Sequence, residues 1–241
     1  MNCQLKLQTK NPRTARDRLE VLVEQTGWRR DVKRAFDVLT ASSGLLLLSP
    51  VIGLTALAVR AALGKPILFK QERPGKGGRA FTVLKFRTMR SAQSAGGRPL
   101  SDAERLTTAG RWIRSLSLDE LPQLWNVVRG DMSLVGPRPL LMKYLPLYDE
   151  FQARRHEVLP GITGWAQVNG RNAVTHEQRF VLDVWYVDNW SLALDARVLW
   201  KTAYTLVRRS GIASPNHATM PEFTGYSSAR GSDEPAANGI D

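Results

Sequence analysis

VLTASSGLLLLSPVIGLTALAV, Val38 to Val59, is the longest uncharged apolar stretch in the chain. As a helix its 22 residues could cross a hydrocarbon core of about 30 Å. Two features argue against a straight crossing. Basic side chains stand on both sides, Arg29, Arg30, Lys33 and Arg34 before the run and Arg60, Lys65, Lys70 and Arg73 after it. The positive-inside bias would hold both ends on one face. Ser49-Pro50 falls at the middle, where proline lacks a donor and its ring clashes with the carbonyl of Leu46. The hydroxyls of Ser42, Ser43 and Ser49 are candidate partners for the freed carbonyl. The reading is a re-entrant helical hairpin with both ends on one membrane face. The competing reading is a core helix of a soluble protein broken at Pro50, because periodicity alone does not separate the two. A cleaved signal peptide fits worse, since the run starts far from Met1 and no clear small-residue cleavage site follows.

The charge is arranged around this run. The chain has 241 residues and a formal net charge of +12. Residues 1–34 carry nine basic and four acidic side chains, and residues 60–90 carry nine and one. These two segments hold the whole excess, so the rest is close to neutral. The total alone would also suit a nucleic-acid-binding protein whose apolar run is core, and that rival predicts salt-dependent DNA or RNA binding. A non-catalytic membrane scaffold is the third reading. The single cysteine, Cys3, excludes an internal disulfide framework. The three histidines, His156, His176 and His217, lack the short spacing of metal ligands on one element.

Outward from the run, the pattern predicts an α/β chain in four parts: a basic arm at 1–30, the membrane helix at 31–64, a catalytic domain at 65–225 and a polar tail at 226–241. Ile67-Leu68-Phe69 and Phe81 to Leu84, separated by the turn-rich Pro74 to Gly78, predict a β-hairpin. Ser91 to Ser101 reads as a loop. Helical periodicity returns in Trp112, Ile113 and Leu116 and in Leu121 to Val128, with Gly130 as a stop. Residues 140–157 read as partly helical and interrupted at Pro146. An irregular segment begins at Pro160-Gly161, and Leu194 to Arg209 predicts a last amphipathic helix.

Ser117-Leu118-Asp119-Glu120 matches a capping box, with Ser117 or Asp119 as the cap and both carboxylates in the first helical turn. Spacing alone leaves two readings of this pair, catalysis or ordinary helix-start acids. Arg138, between Pro137 and Pro139, can offer a stiffly held guanidinium to phosphate or be a surface turn. Lys85, Arg87 and Arg90 suit a polyanion site or a solvated basic face. The glycines at 75–78 fit neither the Walker pattern nor the dinucleotide fingerprint.

Taken in order, Lys33 to Asp37, Leu48-Ser49-Pro50, Lys85 to Met89, Ser117 to Asn126, Gly130 to Pro139 and Pro160 to Asn172 resemble the bacterial sugar transferases, the monotopic phosphoglycosyl transferases, and most of all the small transferases for diacetylated bacillosamine phosphate. The resemblance runs from about Lys33 to Arg208. It implies transfer of a sugar 1-phosphate from a UDP-sugar to undecaprenyl phosphate with release of UMP and use of Mg²⁺, on the cytoplasmic face of the bacterial inner membrane. It implies Asp119 as the covalent nucleophile and Glu120 as its partner, both near the metal. It also implies Ser49-Pro50 as the membrane kink, and Lys85, Arg87, Arg138, Gln167, Asn169 and Arg171 near phosphates and nucleotide. Residues 1–30 and the tail have no counterpart in the shortest relatives, and Leu159 stands where some relatives carry a basic residue. The donor sugar, the pathway and any homo-oligomer are left open.

Overall fold

The structure is a computed structural model that describes residues 27–90, 98, 100–170, 175–208 and 223–225. Nearly all of the basic arm, the 91–97 part of the loop, Arg171 and the tail at 226–241 lie outside the described residues.

The apolar run forms two helices, α1 (Trp28–Leu47) and α2 (Ser49–Leu63), that meet at Leu48 with a bend of 63°. Pro50 sits at the start of α2, where a missing N–H costs nothing. The Leu46 carbonyl that Pro50 cannot reach is satisfied by Ser49, whose Oγ donates to it at 2.8 Å. Of the three candidate hydroxyls, this one serves. Outward, the hairpin is bare: Leu46 is 75% exposed, Leu47 77% and Leu54 68%. That is not the burial of a core helix, and contiguous apolar exposure marks an interaction surface. Among the described residues no single helix is long and apolar enough to cross a membrane, whereas the bent pair is so by length and composition.

The inner face of α1 is polar and tied down. Asp37 is 2% exposed; it accepts from Ser133 Oγ at 2.7 Å and from the Leu134 N–H at 3.2 Å. Lys33 Nζ donates to Asp195 at 2.6 Å, and Arg34 donates to the carbonyls of Val127 and Val128 at 2.7 and 3.0 Å. The sequence reading gave Lys33 and Arg34 to the membrane flank. They point into the protein instead, where Arg34 satisfies two carbonyls at the end of the helix that follows the carboxylate pair.

Strands β1 (Leu68–Pro74) and β2 (Ala80–Phe86) form the expected antiparallel hairpin, with Leu68 opposite Phe86 and Pro74 opposite Ala80. Helix α3 (Asp102–Arg105) leads to α4 (Thr108–Ser115), then a 3₁₀ turn (Leu118–Glu120) and α5 (Gln123–Arg129), which stops at Gly130. Strand β3 (Ser133–Val135) pairs in parallel with β4 (Gly161–Thr163). Between them run a 3₁₀ segment (Met142–Leu147) containing Pro146, α6 (Glu150–Ala153) and a second 3₁₀ turn (Arg154–His156). Helices α7 (Trp165–Gly170), α8 (His176–Asp188) and α9 (Leu192–Arg208) complete the described chain. Val127, Met132, Val135, Tyr186 and Val198 make the main core, against which Ala41 seats α1.

Two expectations are corrected. The segment after Pro160 is not irregular but supplies β4, α7 and α8, the last begun by a capping box in which Thr175 and Gln178 reciprocate. Nor does Ser117 cap a helix: it is left-handed, with φ 55° and no capping bond, and Asp119 and Glu120 occupy a 3₁₀ turn. Pro122, at the cap of α5, has no N–H to give, so the α-helix begins only at Gln123.

Candidate active site

The 3₁₀ turn lays Asp119 and Glu120 against β2 and below the Pro137-Arg138-Pro139 loop. That loop is positioned by the tight crossing of β3 and β4. A Cβ on Gly161 would stand 2.1 Å from the Gly136 nitrogen, and one on Gly136 2.3 Å from the Leu159 carbonyl oxygen, so only glycine permits this approach. Arg155, buried at 2% exposure, then fixes the loop from behind. Its Nη2 donates to the Arg138 carbonyl at 2.7 Å and to Asp183 of α8 at 2.6 Å. A charge so buried needs such partners.

Glu120 accepts from Lys85 Nζ at 2.7 Å and from Arg138 Nη2 at 2.5 Å. Burial alone would push its carboxyl up, but Arg138 and then Lys85 outweigh that and hold it down to about 2. Glu120 is therefore a fixed anion. Asp119 is different in kind: it accepts no hydrogen bond from the described residues, and its carboxyl is raised, first by burial and then by the neighbouring Glu120 charge, against the pull of Lys85, Arg114 and Arg138. Two adjacent carboxylates with environments that drive them apart suit two different tasks.

Both line an open cleft of about 1350 Å³. Lys85 and Arg138 bear on both and Arg114 on Asp119, while Arg73 and Arg179 line the same cleft. Burial and then the nearby Arg138 lower Arg73 and Lys85; burial chiefly lowers Arg179. Cations crowded out of water and against one another leave a site that an anion relieves. Arg114 Nε is steadied by Thr88 Oγ1 at 2.9 Å. The cleft also reaches Thr40, Gly44 and Leu48, one face of α1 up to its bend, and Thr202, Thr205 and Leu206 of α9.

Of the residues singled out from sequence, Lys85, Asp119, Glu120 and Arg138 converge. Gln167 lies on the cleft wall, its Nε2 given to the Ile162 carbonyl at 3.0 Å. Arg87 also lines the cleft, but its guanidinium donates to the carbonyls of Leu63, Gly64 and Lys65, closing the end of α2. Asn169 is not among the lining residues; it is exposed, accepts from Lys201 Nζ at 2.8 Å and donates to the Trp165 carbonyl. Arg171 lies outside the described residues. Ser49 and Pro50 sit on the bend beside Leu48. Arg114, Arg155, Arg179 and Asp183 were not picked out by sequence, and Arg73, read there as membrane flank, lines the cleft instead. Helical spacing puts Arg179 and Asp183 on one face of α8, but no local signal marks any of these residues as part of a site.

Among the described residues no group of three His, Cys, Asp or Glu side chains could hold a metal ion. Magnesium does not require one: it commonly takes one or two carboxylates and completes its shell with waters and substrate phosphate oxygens. The open Asp119 carboxylate beside Glu120 fits that donor set.

Comparison with known proteins places these residues in context. Residues 28–209 match the family model described as bacterial sugar transferase. The chain is similar to the uncharacterized sugar transferase EpsL of Bacillus subtilis, 56% identical over 80% of this chain and 96% of the relative. It is similar to the undecaprenyl-phosphate glucose phosphotransferase of Komagataeibacter xylinus, 44% identical over 73% of this chain and 36% of the relative. With the undecaprenyl-phosphate galactose phosphotransferase of Salmonella typhimurium it shares 39% identity over 76% of this chain and 42% of the relative. The match thus spans nearly all of the first and under half of the other two.

Proposed function

The chain belongs to the bacterial sugar transferase family, and from that membership we propose that it transfers a sugar 1-phosphate from a UDP-sugar to undecaprenyl phosphate, releasing UMP, as the opening step of glycan assembly. It is a transferase enzyme, and the names of its relatives support the lipid-phosphate acceptor. The observation that carries the reading is the position of Asp119: an open carboxylate, ringed by cations, in a cleft that runs to the bend of an exposed apolar hairpin.

In this mechanism Arg138, Lys85, Arg73 and Arg179 receive the donor diphosphate and offset the repulsion that a carboxylate nucleophile meets. Asp119 Oδ attacks the phosphorus that bears the sugar. The bond from that phosphorus to the bridging oxygen breaks, and UMP leaves with the electron pair. An oxygen of the lipid phosphate then attacks the same phosphorus, and Asp119 departs as carboxylate. Glu120, fixed by Lys85 and Arg138, keeps those cations in place and stays ionised throughout. Magnesium held by Asp119 and Glu120 would supply further neutralisation of phosphate charge. The hairpin lies in the cytoplasmic leaflet of the inner membrane with both ends on one face, so that the lipid phosphate at the membrane surface meets Asp119 while its tail stays in the bilayer. The aromatic side of the cleft, with Tyr144 and His176 beside Arg73 and Arg179, takes the nucleotide, leaving the α1 and α9 side to the acceptor.

The test is UMP release by the purified full chain with undecaprenyl phosphate, Mg²⁺ and a panel of UDP-sugars. One donor should yield UMP and a lipid-linked sugar diphosphate in equal amounts. UMP-free reactions across the panel, with a folded protein, would overturn the assignment.

A further inference from the structure

Behind the nucleotide side of the cleft lies an aromatic cluster to which the chain beyond α9 contributes. Phe223 is 8% exposed and packs with Leu140, Tyr144 and Phe180. Its ring meets Phe180 edge-on at 5.1 Å and Tyr144 edge-on at 5.6 Å, and it lies against His176 at 5.6 Å. Its backbone N–H donates to Tyr144 Oη at 3.2 Å. Leu140, Tyr144 and His176 all line the cleft, and Phe223 does not. Phe223 also stacks on Tyr148 at 6.1 Å, and the Tyr148 hydroxyl accepts from Arg155, the residue that holds the Arg138 carbonyl. Residue 223 falls outside the 28–209 stretch that matches the family model.

We propose that Phe223 is a positioning residue for the donor, acting as the backstop of the Tyr144–His176 wall and, through Tyr148 and Arg155, of the Arg138 loop. The inference rests on the transferase reading and on the nucleotide lying at this wall. Aromatic rings in edge contact transmit displacement because close-packed interiors do not yield smoothly. A donor pressing on Tyr144 and His176 therefore meets the stiffness that Phe223 provides. Removing the ring leaves a void behind the wall, while the backbone N–H that reaches the Tyr144 hydroxyl remains.

The experiment is donor and acceptor kinetics on the full chain carrying Phe223→Ala, Phe223→Leu and Phe223→Tyr. Phe223→Ala should raise the KM for the UDP-sugar about tenfold while kcat and the acceptor KM change by less than about twofold. Phe223→Leu keeps apolar bulk and should raise it about threefold, and Phe223→Tyr should behave as the unsubstituted protein. A residue that only fills the core would lower the melting temperature and the yield of folded enzyme without moving the donor KM. An unchanged donor KM in Phe223→Leu, or equal rises in donor and acceptor KM, would overturn the proposal and leave the transferase reading standing. Failure of the unsubstituted protein to turn over any UDP-sugar would overturn both.

Discussion

The hairpin α1–α2 and the body that carries the cleft are built on opposite plans. The body buries Val127, Met132 and Val135 and gathers its charges around an open cleft. The hairpin exposes Leu46, Leu47 and Leu54 while turning Asp37, Lys33 and Arg34 inward. A chain folded for water alone would not expose a row of leucines and bury its aspartate on the same helix. The contrast is the one the proposed lipid-facing hairpin requires, and the inward polar contacts of α1 join hairpin to body. Arg34 grips the end of α5 and Asp37 grips β3, so the apolar hook and the helix that follows the Asp119–Glu120 turn are held together.

If the two plans serve separate tasks, substitutions should separate them. The largest effect is expected at Asp119: Asp119→Asn should cut UMP release by at least about a thousandfold and leave membrane association intact, as sedimentation with vesicles would measure. Normal turnover would remove Asp119 from the chemistry. Arg138→Ala comes next, with kcat/KM for the UDP-sugar falling about a hundredfold, because it removes a phosphate ligand and leaves Glu120 to Lys85 alone. An unchanged dependence of rate on donor concentration would contradict that role. On the other side of the comparison, Leu47→Lys should weaken partition into vesicles by about 3 kcal/mol while the melting temperature in detergent stays close to the parent's. A drop in melting temperature with unchanged partition would show Leu47 to be core. The smallest effect concerns pH. Asp119 titrates above the ordinary aspartate value of 3.8, so attack should be lost on the acid side as pH falls through that raised value, about tenfold per unit. Arg114→Gln removes a charge that pulls Asp119 down and should move this limb to higher pH; movement to lower pH would contradict the assignment.

Much of this was legible in the sequence where local chemistry decides. Pro50 dictates a bend and Ser49 stands one residue before it, so the break at Leu48 follows from the backbone alone. The β-hairpin follows from two β-prone pieces around Gly77-Gly78. The carboxylate pair was legible as a pair, but its register was not, because a capping-box pattern cannot announce that Ser117 will turn left-handed and that Pro122 will postpone the helix. Helix α8 was hidden by the Gly- and Asn-rich residues before it, although Thr175 and Gln178 carry a sound start signal. Arg155 and Asp183 were beyond reach for another reason. They meet across 28 residues, and nothing in their neighbourhoods distinguishes a buried ion pair from two solvated charges. The same holds for Lys33 and Arg34, whose positive charge reads as membrane flank until tertiary contacts turn it inward. Asn169 shows the converse, a residue near the right motif whose side chain is spent on Lys201 outside the cleft.

The most direct measurement is the intact mass of the purified chain after incubation with its UDP-sugar and Mg²⁺ in the absence of lipid acceptor. The account predicts a mass increase of one sugar phosphate on Asp119, discharged by undecaprenyl phosphate and missing from Asp119→Asn. Steady UMP release from the first turnover only when acceptor is present, with no adduct at any time, would contradict it.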